Sequence, residues 1–564
     1  MDPFGQNDDL NEDFDISKNK DKSLAFLPKK KSTLICVFVI ILGVTIGTLV
    51  LIFFLLNKNN SSTSNDKPKS GDDSNKISGI GGEINCKYSI TDEKNDAPLL
   101  SKNFENLNNS IVDIEINEKK INYTKEYKFS SVGTYKVKFL LNNIVNMDNM
   151  FKDLKNIVSI DSMNAYKNST LKIISAISVF EGCPKLEEVT INDDSFDTSE
   201  LKSTSKMFYN SGLYKINLNN FNARNVEDMS FMFGSCESLT SLSLEKFDTS
   251  NVKDISYMFS SCKSLTSLKL NLNTENAENM SYMFKFSSSL KSLDLSSFNT
   301  KNAIDMSGMF EGCNTLMGID FPNFDTSKVQ QMSSMFNDCS SLSSLDLSTF
   351  KTTNVIDMSS MFGNCKFLKT LNLNGFDTEK VKDMSYMFYH CESLLSLNLN
   401  SFNTKNVENM SYMFSHLYNA TSISIMNFNT ENVKNMDYMF FNDYSLMEIK
   451  VNTIRTDNAL AMNGMFCNCY QLENIPTKEF NTEKVTNLGY MFKNCYNLKE
   501  LNLTSFKTAK CEKFDEMFSG CDKLTVIIKE NIEDYEELLN EILNSDVNIR
   551  FLPSYEYTWD GELD

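Results

Sequence analysis

A Met-Phe pair recurs thirteen times in this chain at a spacing of 25 or 26 residues. The Phe members are Phe208, Phe233, Phe259, Phe284, Phe310, Phe336, Phe362, Phe388, Phe414, Phe440, Phe466, Phe492 and Phe518. A period of about 20–50 residues is the signature of a solenoid, in which each repeat forms one coil and buries its apolar face only against its neighbours. The spacing sets the architecture before any motif is weighed. It also turns the functional expectation from catalysis toward binding, because a solenoid presents a long surface rather than one deep pocket.

A representative unit is SLTSLSLEKFDTSNVKDISYMFSSC, from Ser238 to Cys262. Leu242 and Leu244 alternate with polar residues, the period of a short half-buried strand. Val252, Ile255, Met258, Phe259 and Cys262 follow at intervals of three and four, which describes one face of a helix, and Asp254 stands where an N-cap is useful. The expected fold is therefore an α/β solenoid, a leucine-rich-repeat-like array of ~26-residue strand-turn-short-helix coils.

Two further columns run in phase. Ten cysteines (Cys183, Cys236, Cys262, Cys313, Cys339, Cys365, Cys391, Cys469, Cys495 and Cys521) lie three residues after the repeated Phe. Cys is among the most buried residue types, so a stack of reduced thiols in the core is expected. Bridges between adjacent coils are not excluded by distance, but 13 cysteines outside the apolar N-terminal run cannot all pair within one chain. The second column is Thr249, Thr274, Thr300, Thr326 and their successors, between strand and helix. A hydroxyl donates and accepts at once, which suits a ladder satisfying stacked loops. The residue before it mixes Asp248, Asp325 and Asp377 with Asn299, Asn403 and Lys351, a set too short of carboxylates for a calcium column.

Outside the array, residues 33–56 are an uncharged apolar run of 24 residues, about 36 Å as a helix, enough for a transmembrane signal-anchor. Lys29, Lys30 and Lys31 abut it on the N-terminal side, so the positive-inside rule puts the N-terminus in the cytosol and the repeats outside, a single-pass type II plasma-membrane protein. Gly43 and Gly47 form a GxxxG that leaves a homodimer through this helix open. Residues 1–32 read as a disordered cytosolic tail and 57–82 as a flexible stalk. The alternating runs of 83–141 predict a small β-rich N-terminal cap, 142–528 the solenoid, and 529–564 a C-terminal cap with an amphipathic helix and a last strand.

The net charge of −19 argues against a nucleic-acid partner. With two His, no Gly-rich phosphate loop and no nucleophile elbow, no enzyme, cofactor or metal site is expected. His390 and His416 share a phase at which other coils carry Ser261, Asp338, Asn364 and Asn442, and read as variable polar surface. Nine N-x-Ser/Thr sequons (Asn59, Asn60, Asn108, Asn122, Asn168, Asn279, Asn409, Asn419 and Asn502) would make the chain a glycoprotein in a glycosylating host.

Two stripes offer binding surfaces. The outward strand positions include Ser241, Ser243, Ser267, Lys269, Asp294, Asp320, Asp346, Asn372 and Asn398, a small polar face suited to multivalent contact with glycan or protein, or to solvation alone. Two residues before the repeated Phe stand Tyr257, Tyr282, Tyr386, Tyr412, Tyr438 and Tyr490, with Phe231 in phase. Their rings either stack on sugar or anchor a protein, or are half-buried against the adjoining coil.

The pattern LxxLxLxxFxTxNVxDMSxMFxxCxSL resembles the BspA-like leucine-rich-repeat surface proteins. It covers Leu186 to Leu524, with weaker echoes back to Asn142. The resemblance implies a leucine-rich-repeat-type solenoid on a cell exterior, linked to adhesion. This chain differs from many members in having an internal anchor in place of a cleaved signal and C-terminal wall-sorting sequence. The expected function is adhesion to, or recognition of, an extracellular protein or glycan; the alternative is a self-associating surface coat.

Overall fold

The protein is described by a computed structural model covering residues 80–92, 96–167, 169, 171–191, 196–218, 221–529 and 536–552. The expected cytosolic tail, membrane helix, most of the stalk and the GxxxG lie outside these residues. Among the described residues no helix is long and apolar enough to cross a membrane. The α-helix Glu536–Leu543 spans eight residues, about 12 Å, far short of a hydrocarbon core of about 30 Å.

The array is a β-solenoid of about 15 coils, not the α/β solenoid that the sequence suggested. In-register parallel strands do form where alternation predicts them: Ser241–Leu244 pairs with Ser267–Leu270, Leu242 opposite Leu268. The same ladder joins Ser344–Asp346 to Thr370–Asn372 and Ser422–Ser424 to Glu448–Lys450. The expected helix is absent. Tyr257 and Ser261 have φ of 55° and 57°, which no right-handed helix contains. Amides instead alternate in purpose. Met258, Ser260 and Cys262 donate three residues back, to Ile255, Tyr257 and Phe259. Ile255, Tyr257, Phe259 and Ser261 donate to the next coil, to Asn279, Ser281, Met283 and Lys285, at 2.6–3.0 Å. The segment is a run of tight turns hydrogen-bonded sideways. Each left-handed non-glycine residue costs about 1–2 kcal/mol, offset by bonds that a helix cannot make between coils.

The core is the column of repeated Phe. From Phe151 through Phe180 and Phe208 to Phe518, neighbouring rings stack unbroken with centroids 5.4–5.9 Å apart. Beside it, Cys262 donates its thiol to the Phe233 carbonyl at 3.1 Å, Cys365 to Phe336 at 3.2 Å and Cys521 to Phe492 at 2.9 Å. Ser287 stands in this column and makes the same bond to Phe259 at 2.6 Å. Every described cysteine is buried and free. Burial pushes the Cys313 and Cys365 thiols up to about 12, so they remain protonated donors.

The threonine column is a hydrogen-bond ladder. Thr274 donates to the Asn299 carbonyl at 3.0 Å and accepts the Asn299 amide at 2.9 Å, and Thr352 treats Asp377 alike at 2.8 Å.

At the N-terminal end, Ile80–Ile90 runs antiparallel between Gly133–Asn142 and Ile157–Ala165. Ile157–Ala165 then pairs parallel with Glu188–Thr190, which pairs with Lys215–Asn217. One strand thus converts an antiparallel sheet into the parallel stack. At the other end Asn548–Leu552 adds a last parallel strand to Thr525–Lys529.

Candidate functional site

The strand alternation that buries Leu242, Leu345 and Ile423 turns the intervening residues outward. Ser241, Ser243, Ser267, Lys269, Asp294, Asp320, Asp346 and Asn398 are exposed, and Asn372 is half-buried. Several of these hold the strand end as well as facing solvent. Asp294 accepts the Ser296 amide at 2.9 Å and Asp346 the Ser348 amide at 2.9 Å. These backbone bonds draw both carboxyls below their ordinary range, so they stay ionised. Asn372 and Asn398 make the equivalent bonds to Asn374 and Asn400, both at 3.2 Å.

Three of the outward positions come together. Asp320, Asp346 and Asn372 stand on successive coils and, with Ser344, Thr370 and Gly318, line an open depression of about 430 Å³. Beside Gly318 the space is open, since a Cβ there would meet nothing within 4 Å.

Large apolar side chains are exposed in the stretches that lead into these outward positions. Met317, Leu395 and Met447 are 64%, 65% and 54% exposed, and Phe367 61%. Met317, Leu395 and Met447 each lie seven residues after a repeated Phe, immediately before the outward strand position. The signal was present: at this phase most other coils carry Thr, Ser or Lys.

The tyrosine stripe is half-buried and is not continuous. Phe231 stacks on Tyr257 at 4.3 Å and Tyr257 on Tyr282 at 4.7 Å; Tyr386, Tyr412 and Tyr438 stack at 4.7 and 4.9 Å. Gly308, Ser334 and Ser360 separate the two stacks, and Gly464 separates Tyr438 from Tyr490. The Tyr282 ring lies over Gly308 and the Tyr438 ring over Gly464, where a Cβ would collide with it. Within the two stacks ring faces are thus spent on one another, leaving edges and hydroxyls for any ligand, while the Tyr490 ring has the Lys493 ammonium 5.3 Å from its centroid. Burial pushes Tyr282 up to about 12 and raises Tyr412 further. A second ladder went unnoticed in the sequence: Tyr418, Tyr444, Tyr470 and Tyr496, with centroids 5.2, 4.8 and 5.0 Å apart. Its 26-residue spacing is the signal that finds it.

The histidines are not plain surface. His416 is buried, stacks on His390 at 3.9 Å, and takes Ser415 and Asn442 on its two ring nitrogens at 2.7 and 2.9 Å. Burial, with His390 adding to it, pushes its pKa down to about 2, so the ring is neutral.

The repeat defines the class. Residues 124–243, 235–343, 313–424 and 416–532 match the repeat family described as "Mycoplasma protein of unknown function, DUF285". The chain belongs to that family. No curated protein matches the chain. Among solved structures, the pneumococcal vaccine antigen PcpA aligns over 72% of this chain and 85% of its own, at 13% identity and a TM-score of 0.31. The TLR13–ssRNA13 complex aligns over 73% and 70%, at 14% identity and a TM-score of 0.20.

Proposed function

We propose that this chain is a cell-surface recognition protein of the BspA-like leucine-rich-repeat kind, binding an extracellular protein or glycan through its strand face rather than catalysing a reaction. The observation that carries the reading is a polar depression on that face with exposed Met317 next in sequence to its Gly318, Phe367 three residues before its Thr370, and Leu395 on the coil that follows. Large exposed apolar side chains beside fixed polar groups are the composition of a protein-binding hot spot, and solvation alone gives no reason for them. They favour a protein partner over a glycan, since the tyrosine rings that would stack on sugars are already stacked on each other.

The test is binding of the full chain to a panel of extracellular-matrix proteins and to a glycan array. The reading expects a protein ligand whose affinity falls at least tenfold on Phe367→Ala or Leu395→Ser, with folding unchanged. Self-association of the chain without any panel binding would favour the surface-coat alternative instead.

A further inference from the structure

The thiol column changes chemistry at two adjacent coils. Between Cys391 and Cys469 the same position is held by Leu417 and then Asp443. Asp443 is completely buried. Its Oδ1 accepts the Leu417 amide at 2.8 Å, whereas Oδ2 is sealed from solvent and accepts no hydrogen bond. In the flanking coils this position is a donor: Cys391 gives its proton to the Phe362 carbonyl at 3.1 Å, and Cys469 to the Phe440 carbonyl at 3.0 Å. An ionised Asp443 would have no proton to give and would leave a negative charge unpaired in the core, an arrangement that proteins avoid by neutralising the group.

We propose that Asp443 is held as a neutral carboxylic acid in the folded protein, and that loss of its proton loosens the array at this coil. Burial pushes the Asp443 carboxyl well above its ordinary range, against a smaller opposing effect of the Leu417 amide. Within three residues of this position, the ionisable side chains are His416 and Tyr418 on the coil before, Tyr444 on its own coil, and Cys467, Cys469 and Tyr470 on the coil after. No lysine or arginine is among them to stabilise a carboxylate. Because each coil holds only its neighbours, the disturbance stays local. It reaches strands Ser422–Ser424 and Glu448–Lys450, which these two coils place on the strand face beside Met447.

The sign of the pH dependence follows. A carboxyl raised above its unfolded value of 3.8 contributes stability that is complete below that value and is lost as pH rises toward the folded one. His416 works in the opposite sense below 6.5, and the buried thiols, whose unperturbed value is 9.0, add their own loss near and above it. Between pH 6.5 and 9.0 neither of these adds a slope, so a pH dependence there that Asp443→Asn removes belongs to Asp443.

Hydrogen exchange of the full chain, followed in peptides spanning 414–446 and corrected for intrinsic rates, tests this in wild type, Asp443→Asn and Asp443→Cys. Wild-type opening is expected to rise with pH across that window, by at most about tenfold per unit for the release of one proton, while both variants stay flat. At pH 7 the wild-type minus Asp443→Asn infrared difference spectrum should carry a carboxylic-acid carbonyl band. A flat wild-type profile, a slope shared by the variants, or a carboxylate band in its place would each overturn the proposal.

Discussion

The Cys262 thiol donates to the carbonyl oxygen of Phe233 at 3.1 Å, while the Phe233 amide donates to the Met258 carbonyl at 2.9 Å. Where the following coil carries the cysteine or Ser287, the repeated Phe is thus tied to it through both its amide and its carbonyl, and its ring stacks on the same neighbour. The period that marks the sequence is a period of interlocking coils.

Serine should therefore replace these cysteines at little cost, since Ser287 already does so. Cys262→Ser is expected within about 1 kcal/mol of wild type, and Cys262→Ala to lose about 1–3 kcal/mol for the missing donor and the small void. Urea unfolding distinguishes them. Reducing agent should leave the wild-type curve unmoved, because the described thiols are free.

Phe336→Ala, in the middle of the stack, should cost about 3–5 kcal/mol as a large side chain deleted from a packed core. The loss should be local. Hydrogen exchange should accelerate in the coils carrying Phe310 and Phe362, which stack on Phe336, and leave coils several repeats away protected.

Gly308 combines a φ of 54° with the Tyr282 ring lying over its Cα. Gly308→Ala should destabilise by more than the about 1–2 kcal/mol of the backbone conformation alone. In a Tyr282→Ala background the excess should vanish. A double-mutant cycle showing no coupling would refute the contact as its source.

His416 predicts an acid limb. Its folded pKa lies below the unfolded value of 6.5, so its stability contribution is present above 6.5 and lost as pH falls toward about 2. The stability of wild type relative to His416→Asn should fall by up to about 1.4 kcal/mol per pH unit below 6.5. Denaturant midpoints measured from pH 7 to 4 check this. A constant difference would mean that the ring is not kept neutral.

Much of the coil was legible in residues. Leu242 and Leu244 predicted a strand and a face, and the Thr274 position predicted a ladder that the hydroxyl completes in both directions. The helix misled for a geometric reason. Tight turns repeating every four residues place Ile255 beside Phe259 in sequence as 3.6-residue turns would, and ten residues are too few to separate the two periods. The correcting signal lay two residues past the repeated Phe, where Gly182, Gly312, Asn364, Asn442, Asn468, Asn494 and Gly520 supply the residues most tolerant of positive φ. At the candidate site, alternation found Asp320, Asp346 and Asn372, but not that they line one depression.

By itself the sequence determined that this protein is a stack of like coils and which side chains line its spine, because apolar residues held in phase have nowhere to hide from water except against their own kind. Tertiary structure decided how each coil closes. Whether an amide bonds along its own turn or across to the next coil is settled by the neighbour's backbone, which no single repeat contains. The same holds for the tyrosine faces and for Asp443, whose surroundings are assembled from coils on either side.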